Sequence, residues 1–176
     1  MIPAMSLALC MQHNEKTTID ISGVEYNMRG NRLVKCNNAA LQRYYVKPGI
    51  RYINDDAFEN CNRLQQVELP KTVIHIGAWA FYRCQALENI VVPASVTTIG
   101  DYAFSNCKAL KSILLVGKVK SIGEYAFLSC DALKNIVIPR GTIEAYRTMI
   151  PECDWPLMKD TLSKKHIANI TLGFQK

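Results

Sequence analysis

Ile99-Gly100-Asp101-Tyr102-Ala103-Phe104-Ser105-Asn106-Cys107-Lys108-Ala109-Leu110-Lys111-Ser112-Ile113-Leu114-Leu115 decides the fold, because its apolar framework recurs along the chain. Phe58, Phe81, Phe104 and Phe127 stand 23 residues apart, and so do Cys61, Cys84, Cys107 and Cys130. Leu64, Leu87, Leu110 and Leu133 keep the interval, as do Ile53, Ile76, Ile99 and Ile122, so four units follow one another without an insertion. A fixed period of this size marks a solenoid, in which no unit buries its apolar face alone and each stacks on its neighbours.

Each unit mixes two periodicities. Val67 and Leu69, Ile90 and Val92, Ile113 and Leu115, and Ile136 and Ile138 sit two apart, as the inward side of a short strand requires. Upstream, Ile53, Ala57, Phe58, Cys61 and Leu64 recur at steps of three to five, which predicts a short helix laid against the same core. Asp55-Asp56 then reads as a helix start. Pro70, Pro93 and Pro139 stop three of the strands, and Val116-Gly117 in the third unit predicts the same turn made by glycine. Units this short have no room for an ordinary βαβ crossover, so the strands stack as rungs of one parallel sheet with the helices on the opposite face.

The framework also predicts the ends. One period before Leu64, Val67 and Leu69 lie Leu41, Tyr44 and Val46, so Tyr44–Val46 is an extra first strand. Gly23–Met28 and Arg32–Cys36 flank Arg29-Gly30-Asn31 as a hairpin covering the N-terminal end. Beyond the last unit, Ile150 and Pro156 fall where Phe and Leu belong, and Cys153 keeps the interval by coincidence. Thr142 caps a predicted helix through Glu144, Ala145, Tyr146 and Met149 that ends before Pro151, and His166–Leu172 is a candidate returning strand. The expected organisation is a single domain over residues 1–176. Residues 1–48 form the N-terminal cap and first strand, 49–140 the four repeats, and 141–176 the C-terminal cap.

Composition narrows the function classes. With 176 residues and 49% hydrophobic content, one continuous core is expected. No run approaches the roughly 20 apolar residues of a membrane span. Met1–Met11 is apolar but lacks a basic start, and bulky Leu9 disfavours lipid attachment at Cys10, so a loosely packed N-terminus is expected. The net charge of +6 divides into +3 over residues 1–48, +2 over 49–140 and +1 over 141–176. Lys164-Lys165 is the only tight basic pair, which argues against a nucleic-acid partner.

The phrase from Ile99-Gly100 through Ala103-Phe104, Cys107, Leu110, Ile113 and Leu115, with Pro70, Pro93 and Pro139 after the strands, resembles the repeat of BspA-like leucine-rich repeat proteins. Pro139-Arg140-Gly141-Thr142, followed by Glu144-Ala145-Tyr146 and later Trp155, is similar to the ending of many such chains. The resemblance implies an α/β right-handed leucine-rich-repeat solenoid of 23-residue repeats, parallel sheet on one face and short helices on the other, with an N-terminal hairpin cap and a C-terminal helical cap. Members are mostly bacterial surface or secreted proteins. The resemblance therefore implies adhesion or capture of a protein partner, a host or extracellular-matrix protein among the candidates, at the cell surface or after secretion. The missing leader and reduced thiols would suit a cytoplasmic location instead.

The repeat accounts for most residues that look chemical. Equivalent cysteines project in parallel, which disfavours disulfides between rungs, and a linear ladder cannot wrap four sulfurs around zinc, so buried reduced thiols are expected and no metal or cofactor. His13, His75 and His166 are scattered, and no catalytic constellation or phosphate loop is written in the sequence. No catalytic residue is assigned, although an enzyme with an unrecognised site and a self-associating structural protein remain alternatives. Candidate ligand-binding residues are the two outward columns of the sheet. Arg43, Gln66, Asn89, Ser112 and Asn135 form one; Tyr45, Glu68, Val91, Leu114 and Val137 form the other, with Val91, Leu114 and Val137 expected as an exposed apolar line.

Overall fold

Alternation of inward aliphatic and outward polar residues produces the strands. In chain order the elements are β1 (Thr17–Ile19), β2 (Val24–Asn27), β3 (Arg32–Cys36), β4 (Arg43–Tyr45), β5 (Tyr52–Ile53), β6 (Gln66–Glu68), β7 (His75–Ile76), β8 (Asn89–Val92), β9 (Thr98–Ile99), β10 (Ser112–Leu115), β11 (Ser121–Ile122), β12 (Asn135–Val137), α1 (Ile143–Met149) and β13 (Met158–Lys159). The computed structural model describes residues 16–149 and the two residues of β13. The expectations for Met1–Met11, Cys10, His13, Cys153, Trp155, Lys164-Lys165 and His166–Leu172 lie outside the described residues.

The chain is a β-solenoid whose coils repeat every 23 residues. On one face β8, β10 and β12 pair parallel and in register, Asn89 with Ser112 with Asn135 and Val91 with Leu114 with Val137, and β13 follows β12. β4 and β6 pair the same way, Arg43 with Gln66 and Tyr45 with Glu68. The expected first strand is therefore present, as is the hairpin of β2 and β3. That hairpin extends a second sheet, in the order β1-β2-β3-β5-β7-β9-β11, which the sequence pattern does not announce. Ile53, Ile76, Ile99 and Ile122 belong to its two-residue strands, and Ile53 is no part of a helix.

The short helices expected on the repeats are replaced by runs of turns. Alternate backbone N–H groups leave the coil altogether. Asp56, Phe58 and Asn60 donate to the carbonyls of Ala78, Ala80 and Tyr82 on the next coil, while Ala57, Glu59 and Cys61 close three-residue turns within their own. A helix would send each of these donors four residues back. Breaking that pattern takes left-handed residues, and each unit has two: Asp56 and Asn60, Trp79 and Arg83, Tyr102 and Asn106, Tyr125 and Ser129, all with φ between 51° and 61°. The apolar stripe at steps of three to five is satisfied by successive tight turns as well as by a helix.

Glycine marks where consecutive coils touch. A Cβ built at Gly100 would lie 2.4 Å from the backbone nitrogen of Ala78, and one at Gly77 only 2.5 Å from that of Asp55. Inside, the four phenylalanine rings stack with centroids 5.1 Å apart between Phe58 and Phe81, 5.1 Å between Phe81 and Phe104, and 5.7 Å between Phe104 and Phe127. Alongside them the thiols of Cys84, Cys107 and Cys130 donate to the carbonyls of Phe58, Phe81 and Phe104 at 3.1–3.2 Å. Cys36, Cys61, Cys84 and Cys107 are free thiols.

At the C-terminal end α1 forms where expected, and its buried Tyr146 corrects another expectation. After β6 and β8, Val73 and Val96 close their turns onto Pro70 and Pro93. In the third unit no such turn forms, because Val119 N–H donates instead to the Tyr146 hydroxyl at 3.0 Å, and that hydroxyl donates to the Gly117 carbonyl at 3.2 Å. Glycine there allows the backbone of the preceding coil to press close, with Ala94 O 2.4 Å from a built Cβ.

Two substitutions test this packing. Phe104→Ala should lower the unfolding free energy by about 3–5 kcal/mol, since it removes a fully buried ring stacked on both faces. Tyr146→Phe keeps the ring but strands the Val119 donor, and denaturant titration should show a loss of about 1–3 kcal/mol.

Candidate functional site

The face carrying β4, β6, β8, β10 and β12 is interrupted. β4 and β6 form one sheet, and β8 begins another, so no strand ladder joins Gln66–Glu68 to Asn89–Val92. A groove of about 450 Å³ lies across this interruption, walled by Arg43, Gln65 and Gln66 on one side and by Glu88, Asn89 and Val91 on the other, and running on to Ser112, Leu114 and Val137. Of the ten residues predicted from the outward columns, Arg43, Gln66, Asn89, Val91, Ser112, Leu114 and Val137 line it, whereas Tyr45, Glu68 and Asn135 do not. Gln65 and Glu88 were missed because they precede the strands, outside the alternation that defined the columns.

The apolar line within the groove differs from expectation. Leu114 is only 4% exposed, and Val91 and Val137 are half-buried. Leu114 lies between these two in-register neighbours, one rung of roughly 4.8 Å to either side, and forms the groove floor rather than an exposed ridge. Polar groups gather at the rim. Ser112 Oγ donates to Asn89 Oδ1 at 2.6 Å, and Lys111 Nζ reaches Glu88 Oε2 at 2.8 Å across one coil. That ion pair is exposed on both sides and adds little to stability.

The N-terminal wall of the groove is held from behind. Tyr44 points inward from β4 while Arg43 and Tyr45 point out. Its hydroxyl donates to Asp20 Oδ2 at 2.5 Å and also meets the Tyr26 hydroxyl, tying β4 to the hairpin. Burial raises the Asp20 carboxyl, but the Tyr44 hydroxyl, the N–H groups of Val24 and Ser22 and the nearby Lys47 ammonium outweigh it and hold the group below the usual carboxylate range. Burial, with Asp20 and Tyr26 beside it, drives the Tyr44 phenol far upward.

A second surface feature is absent from the sequence expectations. On the turn face Trp79 stacks on Tyr102 at 5.8 Å and Tyr102 on Tyr125 at 5.2 Å, and Trp79 and Tyr125 are 41% and 43% exposed. Their shared 23-residue spacing was the available signal. Elsewhere, His75 Nδ1 lies 2.6 Å from Thr98 Oγ1 on the second sheet, and burial lowers its pKa. Neither histidine nor thiol lines the groove. Among the described residues no group of three or more His, Cys, Asp or Glu side chains is placed to hold a metal ion. Nor is any helix there long and apolar enough to cross a membrane.

The BspA type leucine rich repeat region matches residues 35–154 in six copies. The chain belongs to that family. Among solved structures, this BspA-type chain is similar to a leucine-rich repeat protein from Eubacterium ventriosum, with a TM-score of 0.66 and 26% identity over 72% of this chain and 34% of that one. A leucine-rich repeat protein from Bacteroides ovatus gives a TM-score of 0.60 and 30% identity over 70% of this chain and 31% of that one. The chain thus spans about a third of the length of both. A leucine rich cell surface protein from Faecalibacterium prausnitzii shares the fold, with a TM-score of 0.56 and 21% identity over 80% of this chain and 42% of that one. Among curated proteins none matches.

Asp20 makes the BspA-type cap sensitive to acid. Its folded pKa is depressed, so its contribution is complete above the unfolded value near 4 and is lost as the pH falls through the folded one. Asp20→Asn should reduce the difference in denaturation midpoint between pH 7 and pH 3. An unchanged difference would show that the carboxylate is not coupled to the fold.

Proposed function

We propose that the chain is a non-enzymatic protein-interaction module that binds its partner in the groove across the β6–β8 interruption. The supporting observation is the contrast between the two sides of one strand. Inward positions repeat from coil to coil, while the outward ones change from Arg43 to Gln66, Asn89 and Ser112, and set amides and a hydroxyl beside an aliphatic floor. An apolar floor with a polar rim is the arrangement through which proteins dock specifically. Leucine-rich repeats generally serve protein interaction.

The partner class is a host or extracellular-matrix protein, with the chain at the cell surface or secreted. This location rests on the family and on the neighbour described as a cell surface protein. No nucleic-acid partner, cofactor or metal is proposed.

The test measures binding of the purified chain to a panel of immobilised extracellular-matrix proteins, beside Arg43→Glu and Val91→Glu. Leu114→Glu is unsuitable, because a charge at that buried floor would unfold the face. Each folded variant should bind at least about tenfold more weakly, or roughly 1.4 kcal/mol. Undiminished binding by both would remove the groove from the interaction. A solution mass of twice the chain that Val91→Glu halves would assign the same groove to self-association.

A further inference from the structure

The groove carries one unbalanced charge. Glu88 on its wall is matched by Lys111 at 2.8 Å, whereas Arg43 at the N-terminal end enters no ion pair among the described residues. Its side chain is exposed, and its in-register neighbour Gln66 is a neutral amide. Two coils further on, Ser112 and Asn89 share a hydrogen bond of 2.6 Å. Whichever way the Asn89 amide is turned, that bond uses one donor and one acceptor of the pair and leaves one of each for a ligand. Beside this polar pair lies the floor, Leu114 between half-buried Val91 and Val137. A cation, a donor with an acceptor, and an aliphatic seat thus follow one another along the solenoid.

We infer that the groove takes an extended peptide segment of the partner, with an acidic side chain at Arg43 and an aliphatic one, four residues away, over Leu114. This rests on the groove being the partner's seat. Each part of the segment answers a part of the groove. In an extended chain the N–H and C=O of one residue lie on the same side, so a peptide laid over the aliphatic floor turns both toward Asn89 and Ser112. Burying an aliphatic side chain on Leu114 removes apolar surface of both partners from water. A carboxylate supplies the charge that Arg43 lacks, and the planar guanidinium can meet both of its oxygens. The spacing follows from the coils. Arg43 and Leu114 are three coils apart, about 14 Å at roughly 4.8 Å per coil, and an extended peptide rising about 3.3 Å per residue covers this in four residues. An even separation also puts both side chains on one face of the peptide.

The experiment pans a phage-displayed library of random twelve-residue peptides against the full chain and against Arg43→Glu, Arg43→Gln and Val91→Glu, each checked for folding by circular dichroism. Peptides selected by the unmodified chain should carry Asp or Glu four residues from Leu, Ile or Val. Synthetic copies should bind Arg43→Glu about tenfold more weakly and Arg43→Gln about threefold more weakly, and Arg43→Glu should itself select Lys or Arg at the acidic position. Selected peptides without an acidic position, or peptides that both Arg43 variants bind undiminished while Val91→Glu loses them, would overturn the acidic segment and leave the groove standing. Peptides indifferent to the Arg43 and Val91 variants alike would remove the groove itself. Failure to select any peptide would overturn the inference, and hyaluronan binding lost in Arg43→Glu would then assign the groove to an acidic polysaccharide.

Discussion

Everything in this molecule is spaced by the contact between successive backbones at Gly77, Gly100 and Gly123. Those positions admit no side chain, since a built Cβ would sit 2.2–2.5 Å from atoms of the coil before. Coil separation is therefore set by main chain against main chain. Once it is, the repeated residues find their equivalents one rung away, and columns follow: phenylalanines stack, thiols reach carbonyls of the preceding coil, and half-buried Tyr102 stacks between exposed Trp79 and Tyr125 outside. An inserted residue would break all of them together, which is why the four units are uniform in length.

The same contact explains the turns in place of helices. Coils this close can satisfy each other's backbone groups directly, and they do so through alternate residues such as Phe58 with Ala80, Phe81 with Ala103 and Phe104 with Ala126. The cost is two left-handed residues per unit. Asparagine carries it cheaply at Asn60 and Asn106, but Trp79, Tyr102 and Tyr125 do not, and ring stacking worth about 0.5–1.5 kcal/mol per pair offsets the strain. The exposed aromatic column thus has a sufficient structural cause.

What could be read in the sequence was whatever repeats. Periodicity locates Phe104 and Cys107 in the core and Ile113 and Leu115 facing inward, while turn and capping residues place Arg32–Cys36 in a hairpin and a helix after Thr142. It misreads Ala57 to Leu64, because helical spacing and a series of tight turns place apolar residues alike, and because Trp79 and Arg83 conceal the left-handed positions that Asn60 and Asn106 hint at. It also misses the interruption of the sheet. Gln66–Glu68 and Asn89–Val92 show the same alternation as any adjoining pair, so the break in the ladder between them, and with it the groove, belongs to three-dimensional fit rather than to local pattern. Leu114 shows the same limit, since its alternation says outward while its neighbours enclose it.

The two caps solve one problem by one means. A repeat supplies its neighbour with backbone partners, so wherever the pattern lapses a donor is left over. At Val119 the lapse comes from the missing proline of the third unit, and Tyr146 of the capping helix supplies the oxygen. At the N-terminal end the hairpin stands in for a preceding coil, and the Cys36 N–H donates to the Ala57 carbonyl at 2.6 Å. Both substitutes are delivered by non-repeating segments. The ends are therefore more than lids over apolar surface, because they complete the hydrogen bonding of the coils they cover. Tyr44 extends the same logic to the groove. Its inward hydroxyl fastens β4 to Asp20 of the β1–β2 turn, so the cap that closes the solenoid also fixes the wall from which Arg43 projects.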